Sequence, residues 1–324
     1  MRWGFLGASK IGASALAPAI LEAGHMLHAV GARDIARART FADRFAAPRA
    51  YGSYAELIAD PEIDAVYNAL TNEAHVPWSI AALQAGKHVL CEKPLALNAA
   101  EVGALQSAEQ ASGRRAMEAF CHVFHPQIAR LTEVITAGDI GDLVAIHSWF
   151  GGNFTFDPAE FHWIPERGGG ALYDLGCYCV SLARVLAGRE PDHIQSSQTL
   201  RNGVDATLAG LMQFPGELTA SFTCSFDAPR TQQMTILGRR GRVQLDWPFS
   251  TKGRATHLDF GDRVESFEPM DPYVAMVAHF ARATVGAEPM RYDLGWSLGQ
   301  ARVLDGLRGA AKQGSPVYFL RHHP

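Results

Sequence analysis

Lys87-His88-Val89-Leu90-Cys91-Glu92-Lys93-Pro94 is the stretch that decides how the chain folds. His88 to Cys91 reads as a short, mostly apolar strand, the kind found in the buried middle of a parallel sheet. Glu92 and Lys93 follow at its carboxyl end, and Pro94 stops it. In an open α/β sheet that end is where ligands sit. A lysine there can be partly desolvated, which makes its proton easier to remove. Alone, the tripeptide reads equally as a surface turn before a proline. The residues on either side decide between the two.

Working back towards the N-terminus, Ile63 to Leu70 carries a fourth strand that empties into Thr71-Asn72-Glu73-Ala74-His75. Val76 to Ala85 is the crossover helix, closed by Gly86. Arg2 to Leu6 is the first strand, followed at once by Gly7-Ala8-Ser9-Lys10-Ile11-Gly12. This is a glycine-rich turn of the G-x-G-x-x-G kind with Ser9 at the middle position. A phosphate can lie against the backbone N–H groups of such a turn and the helix start behind it. Pro18 divides the helix that follows, since proline is tolerated only in a first turn.

Leu27 to Gly31 is the second strand, and Ala32-Arg33-Asp34 lies at its tip. A site that prefers NAD usually places an acid there for the ribose hydroxyls. Here Ala32 takes the tip, and Arg33 and Arg37 can receive the extra phosphate of NADP. Asp34 reads as the N-cap of the next helix. NADP is therefore the expected cofactor and NAD the alternative. A short third strand ends at Tyr51, and the Asn98–Ala111 helix and the Met117–Phe120 strand complete the repeated strand–helix units. Residues 1–121 thus read as a doubly wound, Rossmann-type α/β domain with right-handed crossovers.

The bulk numbers agree with a two-domain enzyme-sized chain. It has 324 residues, with 29 Lys plus Arg against 33 Asp plus Glu, a net charge of −4. No basic excess draws in nucleic acid or an anionic membrane. After Met1-Arg2 the chain enters apolar residues without the charged leader and cleavage site of a targeting segment, and no run reaches transmembrane length. The five cysteines show neither a disulfide framework nor a zinc spacing, so no metal is expected. The expected location is the cytoplasm.

The run Gly168-Gly169-Gly170-Ala171-Leu172-Tyr173-Asp174-Leu175-Gly176-Cys177-Tyr178 completes the pattern. Together with the Gly7–Gly12 turn, the Thr71–His75 segment and Ala85–Pro94, it resembles the glucose–fructose oxidoreductase / inositol dehydrogenase / MocA family. The likeness covers nearly the whole chain, and the Glu-Lys-Pro segment is its most specific part. The resemblance implies NAD- or NADP-dependent hydride transfer to or from a carbon of a sugar, polyol or related small molecule. It implies that Lys93 is the active-site lysine, that Asp174 is its carboxylate partner, and that Tyr178 stands at the acid/base position, with Lys93 itself as the base the alternative. Leu70, Thr71, Asn72, His75, Glu92 and Lys93 join the glycine turn, Arg33 and Arg37 as cofactor-binding residues. A tyrosine at the acid/base position is similar to the xylose dehydrogenase and dimeric dihydrodiol dehydrogenase members. Where the xylose dehydrogenase-like members carry an arginine, this chain has Phe161-His162-Trp163-Ile164-Pro165. His162 and Trp163 are therefore expected to reshape the substrate pocket.

Residues 122–324 read as an α+β substrate-binding and oligomerisation domain. Phe120-Cys121-His122-Val123-Phe124-His125-Pro126 is the crossing between domains, and His122 and His125 are candidate substrate contacts. His125 reads equally as a structural hydrogen-bonder. Gly151 to Gly170 reads as an aromatic-rich loop over a pocket or as a buried aromatic patch. Asp174 and Tyr178, four apart on the Asp174–Leu186 helix, share a face. Gly176 inside that helix costs about 1 kcal/mol against alanine, which implies a close neighbour such as cofactor or another helix. From Ile194 to Phe267 strand follows strand in a large, mainly antiparallel sheet, then come closing helices over Tyr273–Val285 and Leu294–Ala311 and a last strand over Pro316–Leu320, expected to pack back toward the first domain. An apolar sheet face left uncovered would make a homodimer or homotetramer. Lys93 and Tyr178 are expected to meet at the nicotinamide.

Overall fold

The computed structural model describes residues 1–319. They form two compact units, one of Met1–Cys121 with Asp271–Leu298, the other of His122–Met270 with the remainder. One break between the units falls after Cys121. The segment Asp271–Leu298 groups with the first unit instead of the second.

The first unit opens with β1 (Arg2–Leu6), a π-type turn over Gly12–Leu16 and α1 (Ala17–Glu22), with Pro18 in the first turn of α1. Next come β2 (Met26–Gly31), α2 (Ile35–Arg44), β3 (Arg49–Tyr51) and α3 (Tyr54–Ala59). After them come β4 (Ala65–Asn68), α4 (Asn72–Gln84), β5 (His88–Cys91), α5 (Ala99–Ser112) and β6 (Ala116–Glu118). The helix starts are set locally. Asp34, Ser53 and Asn98 each accept from a backbone N–H two or three residues on, satisfying amides that a helix start leaves without partners. The six strands pair in parallel in the order β3-β2-β1-β4-β5-β6, so the order reverses between β1 and β4. Register levels the carboxyl ends: Leu6 pairs with Gly31 and Asn68, and Asn68 pairs with Cys91. One structural expectation needs correcting here. Asn72 to His75 is not a loop but the first turn of α4.

At the opposite edge of this sheet Arg49 donates to both Asp60 oxygens at 2.8 Å and also to Glu62, while Tyr51 Oη donates to Asp60 at 2.9 Å. The His28 ring lies 3.6 Å from the same carboxylate. This polar knot around the buried Asp60 carboxylate, with Arg49 and Glu62 partly exposed, ties β2 and β3 to the segment after α3.

The second unit contains α6 (Pro126–Thr136), β7 (Leu143–Asn153), two single turns over Phe161–Trp163 and Pro165–Arg167, and α7 (Cys177–Ala187). The turn Leu172–Gly176 that leads into α7 is of π type. Seven strands follow: β8 (His193–Arg201), β9 (Val204–Gln213), β10 (Thr219–Ser225), β11 (Asp227–Gly238), β12 (Arg242–Leu245), β13 (Thr256–Asp259) and β14 (Val264–Phe267). The chain closes with α8 (Pro272–Thr284), α9 (Leu294–Gln313) and β15 (Val317–Tyr318). α8 belongs to the first unit, where Phe280 packs on Trp3. Leu320, the expected end of the last strand, lies outside the described residues.

The nine-stranded sheet runs β14-β13-β12-β11-β7-β10-β9-β8-β15. It is mixed and not wholly antiparallel, because β7 and β10 pair in parallel at its centre. One face is apolar, with Ile146, Phe150, Phe222, Leu208, Met234 and Ile236 buried. The other face departs from the apolar surface expected of it. It presents His147, Ser221, Thr223, Gln233 and Thr235 around Trp149, which is 47% exposed. The segment Pro165–Ala187 is long and apolar enough to cross a membrane, yet 78% of its apolar window is buried inside the protein. It is a core helix.

Candidate active site

The residues the sequence singles out fall into two groups, one in each unit. In the first unit they line the carboxyl edge of the parallel sheet. Gly7 has φ +96°, a left-handed conformation, and a Cβ there would lie 3.1 Å from Leu70 Cδ2. The turn is thereby pressed against the end of β4. Ser9 Oγ accepts from the Gly12 N–H at 3.0 Å, so the serine closes the turn on itself. The Arg37 guanidinium donates to the Ala8 carbonyl at 3.3 Å and therefore lies over the turn. Arg33 and Arg37 are both exposed, and the tip residue Ala32 offers no carboxylate. Asp34, the one acid nearby, accepts from the Ala36 N–H at 2.8 Å as the cap of α2. A dinucleotide with an additional phosphate fits this edge: two guanidinium groups are exposed, and the nearby Asp34 carboxylate is engaged as a helix cap.

Along the same edge Tyr67 Oη donates to Glu92 Oε1 at 2.5 Å, and Glu92 Oε2 accepts from the Lys93 N–H at 3.3 Å. Glu92 is buried, so the phenol pairs a carboxylate that water does not reach. Burial first, and then Glu92, hold the Tyr67 phenol well above its ordinary range. His75 is 1% exposed, with Nδ1 2.8 Å from the Pro94 carbonyl and Nε2 3.1 Å from the Leu70 carbonyl. Burial pushes the His75 imidazole below its ordinary value. Its ring ties the end of β4 to the residue after Lys93. The Lys93–Pro94 peptide is cis. Lys93 itself is half-buried.

In the second unit the site is built on the helical segment after the glycine triplet. From Ala171 to Arg184 every residue is buried except Asp174 and Tyr178, which keep partial exposure. The two side chains the sequence places on one helix face are thus the two that reach out of the core. His162 Nε2 stands 4.0 Å from Asp174 Oδ2, and its ring lies against Phe161 and Phe154 with centroids at 3.9 and 5.1 Å. The Tyr178 ring packs on His122, Phe150 and Phe249, with centroids 5.0 to 6.0 Å away. Gly176 is explained by packing. A Cβ there would lie 2.9 Å from Cys224 Sγ and 3.3 Å from the Phe222 ring. The close neighbour is strand β10, neither a cofactor nor another helix.

Three expected substrate contacts sit differently. His122 is fully buried beneath Tyr178, its Nε2 3.1 Å from Ser181 Oγ. His125 is also fully buried and caps α6, its Nδ1 accepting from the Gln127 N–H at 3.2 Å. Burial lowers its pKa to about 4, which keeps the ring neutral for that role. Trp163 is 1% exposed, packed edge-on against Phe156 and Phe226 with its Nε1 donating to the Thr155 carbonyl. All three side chains are packed inside the core. Two residues that local patterns do not single out are Tyr67, the partner of Glu92, and Asp205, whose carboxylate accepts from the Leu172 N–H at 2.6 Å. Both act through tertiary contacts between distant parts of the chain.

Residues 1–120 match the family described as an oxidoreductase family with an NAD-binding Rossmann fold, and residues 128–244 match the GFO/IDH/MocA C-terminal domain. The chain belongs to the GFO/IDH/MocA oxidoreductase family. It is an oxidoreductase of the nicotinamide-dependent kind, as the glycine turn and the Glu-Lys-Pro segment suggest. It is 36% identical to the D-xylose 1-dehydrogenase (NADP(+)) 2 of Haloferax volcanii over 98% of this chain and 99% of that one. It is 37% identical to the trans-1,2-dihydrobenzene-1,2-diol dehydrogenase of Macaca fuscata fuscata over 76% of this chain and 74% of that one. Among solved structures it is similar to a 3-ketoreductase from Actinomadura kijaniata in complex with NADP and TDP-benzene. There the TM-score is 0.89 at 26% identity, covering 96% of this chain and 97% of that one.

Proposed function

We propose that the protein is an NADP-dependent dehydrogenase/reductase of an aldose, a polyol or a related hydroxy or carbonyl compound, with Tyr178 as the acid/base, Lys93 as its electrostatic support and Asp174 as the carboxylate partner. One observation carries this reading: over residues 171–184, a buried helical stretch, only Asp174 and Tyr178 keep partial exposure. Partial exposure spares both polar groups the cost of full burial, and it is also what acid/base work requires of them. The relatives' names, an NADP-dependent xylose dehydrogenase and a dihydrodiol dehydrogenase, support both the cofactor and the substrate class.

The bound nicotinamide supplies or accepts the hydride. In oxidation the Tyr178 phenolate, favoured by the positive charge of Lys93, takes the substrate hydroxyl proton. In reduction the same phenol returns a proton to the developing alkoxide. Arg33 and Arg37 bind the added phosphate by charge-assisted hydrogen bonds. The aromatic rings of Phe154 and Phe161 around His162 favour a second reading within this class, a substrate with an unsaturated ring such as a trans-dihydrodiol.

The test is nicotinamide absorbance at saturating NADP⁺ or NADPH against aldoses, including D-xylose, polyols and trans-dihydrobenzenediol. Turnover of any of them supports the proposal. Tight cofactor binding with no turnover across the panel would make the protein a cofactor-binding sensor instead. We place the enzyme in the cytoplasm, since all five cysteines are free and buried as a reducing compartment allows. We also assign it a homo-oligomeric state through the open sheet face centred on Trp149. Trp149→Lys should then convert the assembly to monomer in sedimentation velocity, and a monomeric wild type at micromolar concentration would refute this.

A further inference from the structure

The amino end of the segment that carries Asp174 and Tyr178 is held from outside. Ala171, at the cap position, offers no side-chain hydrogen bond. Asp205 of β9 fills that place, and its Oδ2 accepts from the Leu172 N–H at 2.6 Å. Such an amide is one a helix start leaves without a partner, and a charged acceptor binds it roughly twice as strongly as a neutral one. The glycine triplet is shaped to admit this carboxylate. A Cβ on Gly170, whose φ is +117°, would fall 2.1 Å from Asp205 Oδ1. Any residue but glycine there would push the carboxylate off the helix start.

The groups facing Asp205 are few. Arg308 of α9 attracts it, and the same guanidinium donates to Tyr173 Oη and lies 4.9 Å from the Tyr173 ring. Tyr173 separates Leu172 from Asp174 in the chain, so both partners of Asp205 act on the turn that bears Asp174. On β10 the remaining neighbour is the Cys224 thiol, which burial and then Asp205 hold well above its ordinary range. Burial raises the Asp205 carboxyl to about 6, with the Leu172 amide and Arg308 pulling the other way.

We propose that Asp205 is a positioning residue for the reaction: its carboxylate holds the start of the Leu172–Ala187 segment so that Asp174 and Tyr178 are correctly presented, and its protonation loosens that hold. The proposal rests on the reading of Asp174 and Tyr178 as the reacting groups. It locates the acid limb of the pH–rate profile in a side chain that touches neither substrate nor cofactor. The limb's midpoint falls near pH 6, the value for Asp205. Asp205→Asn keeps the shape and an acceptor oxygen but cannot ionise. It lowers turnover about tenfold, less than the ~10²-fold that a 1 Å misplacement costs. Arg308→Gln withdraws the attracting charge and moves the limb to higher pH.

The experiment measures kcat and kcat/KM from pH 5 to 9 for wild type, Asp205→Asn, Arg308→Gln and Tyr178→Phe. It uses NADP⁺ and the fastest substrate of the panel above, and titrates NADPH affinity alongside. The expected result has three parts: an acid limb near pH 6 in wild type, a lower and flat profile over that range in Asp205→Asn, and an upward-shifted limb in Arg308→Gln. NADPH affinity stays unchanged throughout. A slow Tyr178→Phe with the wild-type limb intact in Asp205→Asn, or unmoved in Arg308→Gln, overturns the role of Asp205 alone. Wild-type turnover in Tyr178→Phe overturns both this role and the reading it rests on. If Asp205→Asn does not fold, the direction of the Arg308→Gln shift decides.

Discussion

Cofactor choice can be tested at two side chains. Arg33 and Arg37 are exposed, so each contact with the added phosphate of NADP is partly screened by water. A hydrogen bond to a charged group contributes about 1.5–3 kcal/mol, and an exposed ion pair about 0–1 kcal/mol. An intermediate value of about 1–2 kcal/mol for each arginine corresponds to roughly 5- to 30-fold in Kd. Arg33→Ala should weaken NADPH by that factor and leave NADH almost untouched. Arg37→Ala should weaken NADPH similarly and also cost NADH a little, because Arg37 holds the Ala8 carbonyl of the glycine turn. Fluorescence titration of both reduced cofactors against wild type and the two variants measures these ratios. Equal losses for NADPH and NADH in Arg33→Ala would refute the reasoning, as would a wild type that prefers NADH.

Two further predictions concern stability. Trp163→Ala removes a buried indole and should cost about 3–5 kcal/mol in urea unfolding with NADPH affinity unchanged; a wild-type midpoint would show the ring is not packed as described. Burial alone would raise the Asp60 carboxyl, but the Glu62 amide, Arg49 and Tyr51 together pull it below its ordinary value. Its contribution to stability is therefore present above the unfolded carboxyl pKa and lost as pH falls through the lower folded value. Arg49→Met should move acid unfolding to higher pH, and an unchanged acid midpoint contradicts this.

Much of the fold is legible in the sequence because the first unit follows local rules. Asp34 and Asn98 mark helix starts, and Pro18 marks the first turn of α1. His88 to Cys91 shows as a strand because nothing polar interrupts it. The Asn72–His75 turn is harder to see. Its residues are polar and Pro77 follows, so local propensity favours a loop, while burial of Asn72 and His75 favours the helix. The parallel pairing of β7 with β10 leaves no local trace, since alternation gives a strand but not the direction of its neighbour. The same limit applies to the site. Lys93, Asp174 and Tyr178 stand in recognisable runs, whereas Asp205 lies on a strand 33 residues beyond the amide it holds. The burial of His122, His125 and Trp163 depends on what surrounds them, which spacing along the chain does not encode.

The central claim is that Tyr178 moves the proton with support from Lys93. Single-turnover and steady-state rates of wild type, Tyr178→Phe, Lys93→Met and the double variant, at saturating NADP⁺ and the best panel substrate, test it most directly. The account predicts that each single change lowers kcat by about 10²–10⁴-fold with NADPH affinity retained. It also predicts that the double variant falls by much less than the product of the two, because residues acting as a unit are not additive. Near wild-type turnover in Tyr178→Phe, or fully multiplicative losses in the double variant, would contradict it.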